Sequence, residues 1–108
     1  MNDAAHKIAV IGGGLGGLAA ALSLFRSGFD VEVYEQAAEL TEVGGGIQVA
    51  PNAARILYRL GLGPALDRHA VRGVEMHQRR WDDGRTLQRA PLNPLCDELY
   101  GAPHLTAH

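Results

Sequence analysis

KIAVIGGGLGGLAAALSLFRSGFDVEVYE, residues 7–35, is the stretch on which the fold turns. Its opening KIAVI, 7–11, is a short apolar run cut off by glycine, which suits a strand buried on both faces of a parallel sheet. From Leu15 to Ser27 the apolar residues Leu15, Leu18, Ala19, Leu22 and Phe25 recur at helical spacing, and Gly28 supplies the stop. DVEVYE, 30–35, alternates with Val31 and Val33 on one side and reads as a second strand. Strand, helix and strand in so short a span make a βαβ crossover and place the chain in the α/β class, with a parallel sheet.

The glycines sit where this unit needs them. Gly12-x-Gly14-x-x-Gly17 lies at the junction of the first strand and the helix. Gly12 permits the tight turn, Gly14 lets the backbone approach a pyrophosphate, and Gly17 allows helix and strand to pack closely. The helix amino terminus then offers unpaired N–H groups and about half a positive charge to the phosphates. Leu18, Ala21, Leu24, Gly28, Val31 and Val33 supply the small or apolar groups that helix and second strand require. Glu35 falls eighteen residues past Gly17, near the spacing expected of a carboxylate that hydrogen-bonds a ribose hydroxyl. A Rossmann-like unit binding the ADP half of a dinucleotide follows. The carboxylate disfavours a 2′-phosphate, so FAD or NAD is expected rather than NADP. Loop physics alone leaves those two open.

Beyond Glu35 the expected organisation is a loop with helices over 36–69, a β-ribbon over 71–90, and a loop with a final strand over 91–108. A short strand is expected at Ile47 to Val49. Asn52 is expected to cap a helix from Ala53 to Leu60 whose Ala53, Ile56, Leu57 and Leu60 face inward, and Pro64 to His69 to form another. Val71 to Trp81 and Arg85 to Arg89 flank Asp83-Gly84, a hairpin turn pair. Three prolines mark 91–103 as a loop before a strand at 104–108. Two parallel strands and one crossover do not cover both faces of a sheet, so the expectation is an incomplete domain, the amino-terminal part of something longer.

Composition removes several alternatives. Ten Lys and Arg against twelve Asp and Glu give a net charge of −2, without the basic footprint of a nucleic-acid binder. Ile8 to Phe25 is an uncharged run of eighteen residues, but five of them are glycine, which weakens any spanning helix; no membrane partner is expected. Cys96 is the sole cysteine, fits a reducing, cytoplasmic compartment and reads as structural. His6, His69, His77, His104 and His108 lack metal-ligand spacing, so no metal is expected. Arg79, Arg80, Asp82, Asp83 and Arg85 read as a solvated hairpin tip, Trp81 as a half-buried aromatic on the ribbon, and Arg55 and Arg59 as a wet helix face.

The segment EVGGGIQVAPNAARILYRLGL, 42–62, together with the glycine loop and YGAPHLTAH at the end, resembles the amino-terminal part of the single-component aromatic-ring hydroxylases. These are FAD-dependent monooxygenases of the salicylate and 3-hydroxybenzoate hydroxylase type, and essentially all 108 residues follow their pattern in order. The resemblance implies that NAD(P)H reduces the flavin and that the reduced flavin, with O2, hydroxylates a small electron-rich aromatic ring. It also implies that Gly12, Gly14, Leu15, Gly16 and Gly17 line the pyrophosphate, that Glu35 and Gln36 meet the adenosine end, and that Gly46, Ile47 and Gln48 run near the ribityl chain and flavin ring. Some relatives carry a proposed histidine base where this chain has Gln48, whose amide has no useful pKa. Family members continue past the final histidine with an arginine and an Asp-Leu pair, so the resemblance identifies no catalytic residue within 1–108. Two other readings remain open on the sequence: a different FAD enzyme such as an epoxidase or amine oxidase, and a non-enzymatic dinucleotide-binding module.

Overall fold

The computed structural model describes residues 6–41 and 44–107, in two compact units, Met1–Val43 and Gly44–His108. Expectations that fall on Glu42, Val43 and His108 lie outside the described residues.

The first unit is β1 (Lys7–Ile11), α1 (Leu15–Arg26) and β2 (Asp30–Tyr34), with the strands parallel and in register from Lys7 opposite Asp30 to Ile11 opposite Tyr34. Because side chains alternate, Ile8, Val10, Val31 and Val33 share the face toward α1, while Lys7, Ala9, Glu32 and Tyr34 share the other. On that second face Lys7 Nζ pairs with Glu32 Oε1 at 2.7 Å, and the Tyr34 hydroxyl donates to Glu32 Oε2 at 2.6 Å. The helical stripe differs from the one expected. Ala21 is buried and Gly17 and Leu24 half-buried, whereas Leu15 and Phe25 are largely exposed. A close approach of helix to strand favours the small residues at 17 and 21, and this rotates the bulkier Leu15 and Phe25 outward. The helix ends as anticipated: Ser27 donates to the Ser23 and Leu24 carbonyls, Gly28 to Phe25, and Phe29 to Leu24, turning the chain into β2.

The second unit holds β3 (Ile47–Val49), α2 (Pro51–Arg59), α3 (Gly63–His69), β4 (Ala70–Arg72), β5 (Glu75–Arg79), β6 (Thr86–Pro91), α4 (Leu95–Tyr100) and β7 (Leu105–Ala107). The final strand is the centre of an antiparallel sheet, with β3 on one edge and β4 on the other. Val49, Ala54, Ala102 and Leu105 form its core, with Leu57, Tyr58, Leu66 and Ala70 packed around them.

Four expectations are corrected here. Asn52 does not cap α2: the helix begins at Pro51, whose preset φ and missing N–H suit the first helical position, and Ala50 takes the cap position without a side-chain bond. The buried face of α2 is Ala54 with Leu57 and Leu60, while Ala53 and Ile56 are exposed, because Ala54 is the side chain that enters the core beside Val49 and Leu105. The long strand from Val71 to Trp81 is two pieces split at Gly73, with β4 joining β7 and only β5 pairing β6; Trp81 stands in the turn, 95% exposed, rather than half-buried on the ribbon. Lastly, 91–103 contains a helix. Pro91, Pro94 and Pro103 all fall outside it, Asp97 and Glu98 favour its first turn, and Gly101, at φ 66°, closes it in the left-handed conformation.

Candidate dinucleotide site

The loop between β1 and α1 hangs from the end of β2 by two bonds. Gly12, at φ 107°, donates its N–H to the Tyr34 carbonyl at 2.7 Å and so extends the parallel ladder. Gly13 donates to Glu35 Oε2 at 2.6 Å, and Ala37 donates to the other carboxylate oxygen, Oε1, at 2.8 Å. The Glu35 carboxylate is thus bracketed by two main-chain amides. These bonds, Ala37 first and Gly13 second, hold its pKa below the usual carboxylate range by favouring the ionised form.

The next four amides are different. The first amide of α1 to find a carbonyl is that of Leu18, which bonds Gly14 at 2.9 Å. The N–H groups of Gly14, Leu15, Gly16 and Gly17 have no acceptor among the described residues, as expected of the first turn of a helix. Four donors and the positive end of a twelve-residue helix therefore converge beside a fixed carboxylate. Around Gly14 and Gly16 a β-carbon would meet nothing within 4 Å, so the space beside these two residues is open. Gly17 is the opposite case. A β-carbon there would collide with the Gly12 carbonyl oxygen and approach Val10 Cγ1 to 3.6 Å, so only glycine allows helix and strand to lie this close.

The sequence-predicted residues divide accordingly. Gly12, Gly14, Leu15, Gly16, Gly17 and Glu35 come together in the first unit, with exposed Gln36 directly after the acid. Gly12 contributes the turn rather than a donor, because its amide is spent on Tyr34. Gly46, Ile47 and Gln48 belong to the second unit, where Gln48 is exposed and lies opposite Thr106 in the sheet, with Val71 on the far side of Thr106. Sequence reasoning missed Gly13, which is buried and carries the bond to Glu35. The only signal was the unbroken run of three glycines, in which the middle one had no assigned job.

Residues discounted earlier are placed as follows. Among the described residues no group of three or more His, Cys, Asp or Glu is arranged to hold a metal ion. Cys96 is buried in α4. Arg55 and Arg59 border a cleft of about 540 Å³ in the second unit, whose Arg72 pairs with Asp97 at 2.6 Å and whose Tyr58 donates to Asp67 at 2.7 Å. No helix among the described residues is long and apolar enough to cross a membrane.

The family model for an NAD(P)-binding Rossmann-like domain matches residues 10–66, just over half of the chain. The chain belongs to this Rossmann-like family. Among curated proteins it is 54% identical over 98 residues to the 3-amino-4-hydroxybenzoate 2-monooxygenase PtmB3 of Streptomyces platensis, covering 91% of this chain and 25% of that protein. It is 42% identical over 107 residues to the 3-hydroxybenzoate 6-hydroxylase of Polaromonas naphthalenivorans, covering 99% of this chain and 27% of the relative. Among solved structures it resembles Klebsiella pneumoniae HpxO complexed with FAD and uric acid, with a TM-score of 0.76 and 33% identity over 94% of this chain and 25% of that one. This Rossmann-like chain therefore spans about a quarter of the length of the proteins it matches. The similarity to aromatic hydroxylases drawn from residues 42–62 is borne out by these relatives.

Proposed function

We propose that the chain is the FAD-binding part of a flavin-dependent monooxygenase that hydroxylates a small aromatic substrate with NAD(P)H and O2. The observation that carries this reading is the set of four amides, Gly14 to Gly17, without an acceptor among the described residues, next to a bracketed carboxylate and with open space around Gly14 and Gly16. That donor set fits a diphosphate with a ribose beside it, and the relatives supply the choice of FAD, since HpxO is complexed with FAD.

In this assignment Gly14, Leu15, Gly16 and Gly17 hold the pyrophosphate through main-chain N–H groups, and Gly12 shapes the turn that presents them. Glu35 accepts from a ribose hydroxyl with lone pairs left over from its two amide bonds, and Gln36 flanks the adenosine. Gly46, Ile47 and Gln48, in the second unit, are assigned to the ribityl chain and flavin ring. When bound, the flavin supplies the redox chemistry; the chain's own residues bind and orient it. The substrate class is a hydroxylated aromatic acid, by analogy with the benzoate hydroxylases. The proposed setting is the cytoplasm, which a lone buried cysteine suits.

Titration of the chain with FAD, followed by flavin fluorescence, tests the binding. FAD and ADP are expected to compete for one site, and absence of binding by both rejects the assignment. The whole protein is expected to release flavin on denaturation and to oxidise NAD(P)H faster when a hydroxybenzoate is present. A protein that releases no flavin rejects the monooxygenase reading.

A further inference from the structure

Ribose recognition alone does not explain where the Glu35 carboxylate is. Before any ligand is considered, each of its oxygens already accepts a main-chain N–H: Oε2 from Gly13 at 2.6 Å and Oε1 from Ala37 at 2.8 Å. A carboxylate waiting only for a sugar would need neither bond. Gly13 is the pivot between Gly12, whose amide is fixed to Tyr34, and Gly14, the first of the four unbonded amides. A loop of three consecutive glycines has more backbone freedom than any other tripeptide. Fixed only at Gly12, its direction after that residue would be loosely set. The bond to Gly13 removes this freedom one residue before the donors begin. The fit is close, since the place a Gly13 β-carbon would occupy lies 3.1 Å from the Glu35 Cβ.

We propose that Glu35 is a positioning residue for the phosphate-binding loop, its carboxylate pegging the Gly13 amide so that the amides of Gly14 to Gly17 are aimed together at a diphosphate. The proposal rests on the dinucleotide reading above and adds to it a role independent of the sugar. It makes an expectation opposite to simple electrostatics. Neutralising an acid beside an anion site should strengthen binding of a bare anion; loss of a peg should weaken it.

The decisive probe is inorganic pyrophosphate, which has no ribose, compared with ADP by calorimetric titration of the chain and of Glu35→Gln. Glutamine keeps the size of the side chain, but its amide oxygen replaces only one of the two carboxylate acceptors. The peg predicts that pyrophosphate affinity falls by about five- to tenfold in Glu35→Gln, the effect of one or two hydrogen bonds. Unchanged or tighter pyrophosphate binding with weaker ADP binding assigns Glu35 to the ribose alone and overturns the proposal. Hydrogen exchange of the Gly13 amide in the unsubstituted chain is the second measurement, and needs no variant. Protection of that amide relative to Gly14 supports the peg, and exchange at the rate of Gly14 overturns it. If the unsubstituted chain binds neither ADP nor pyrophosphate, the dinucleotide reading fails, while the exchange comparison still decides the peg.

Discussion

Gly16 and Gly17 are adjacent, identical and opposite in what they tolerate. Gly17→Ala drives a methyl group into the Gly12 carbonyl, which no rotamer change relieves, and is expected to destabilise the first unit by about 1–3 kcal/mol or more. Gly16→Ala meets nothing within 4 Å and gains helix propensity, so the free chain should be stabilised by up to about 1 kcal/mol. The same methyl group stands in the space assigned to the phosphates, and FAD affinity should fall by about tenfold, comparable to losing one charge-assisted hydrogen bond. Thermal denaturation with FAD titration reads both effects. A Gly16→Ala variant that keeps full FAD affinity would show that the open space is not ligand space. Glu35 gives a second expectation at this scale. Its pKa is held below the ordinary value in the folded chain, so its bonds are fully present above the unfolded-state pKa and are lost only as pH falls through the lower, folded value. The Gly13 amide resonance should stay constant from neutral pH down and shift with a midpoint below 4.5, the ordinary value for glutamate. A midpoint at or above that value would contradict the amide bracket.

Elements differ in how far the sequence announces them. β1, α1 and β2 were readable because each is signalled within its own residues: an apolar run, a helical period, an alternation, with glycine at both joints. The four donors of α1 followed from the place where the helix starts. The bond between Gly13 and Glu35 did not, because it joins residues 22 apart and depends on how strand and loop meet in space. For the same reason α4 was hidden, its six residues enclosed by prolines that read as loop, and the central place of β7 between β3 and β4 was invisible locally. One side chain joins these hidden elements. Asn93 Nδ2 donates to the carbonyls of Gly73 and His104 at 2.8 and 2.7 Å, and its Oδ1 accepts from the His104 N–H at 3.0 Å. It ties the break between β4 and β5 to the entry of β7. Asn93→Ala leaves the N–H and carbonyl of buried His104 without these partners, while the Gly73 carbonyl keeps the main-chain N–H of residue 93 at 3.1 Å, and should cost about 1–3 kcal/mol in chemical denaturation. Asn93→Asp should be at least as harmful, because it removes both donations and sets a charge against two carbonyl oxygens. An Asn93→Asp chain as stable as the original would show that the three bonds contribute nothing net.

For the molecule as a whole, the balance of buried and exposed apolar groups sets the expectation. The core residues of the described chain are small: Ala21, Val49, Ala54, Leu60, Cys96, Ala102 and Leu105, of which Leu105 alone is a large side chain with almost no exposure. Against them Ile11 is 81% exposed, Val74 73%, Leu40 69% and Phe25 67%. These exposed groups occur in both units, so neither unit buries its own apolar surface fully. Burial contributes about 25 cal/mol per Å² of apolar area, and that contribution must outweigh roughly 1–2 kcal/mol of backbone entropy for each ordered residue. A core of three alanines, one valine, one cysteine and two leucines leaves little margin, and exposed apolar patches attract other apolar surface. The 108-residue chain studied by itself should therefore enhance the fluorescence of a hydrophobic dye such as ANS and melt over a broad range at modest temperature. FAD should narrow and raise the transition in proportion to its concentration above the dissociation constant, because a ligand that binds only the folded state stabilises it by mass action. Sharp melting of the free chain above about 65 °C, beyond the range usual for mesophilic domains, together with no dye response, would mean that the exposed side chains are covered in solution, as by self-association. Sedimentation of the same sample would then detect the larger species directly.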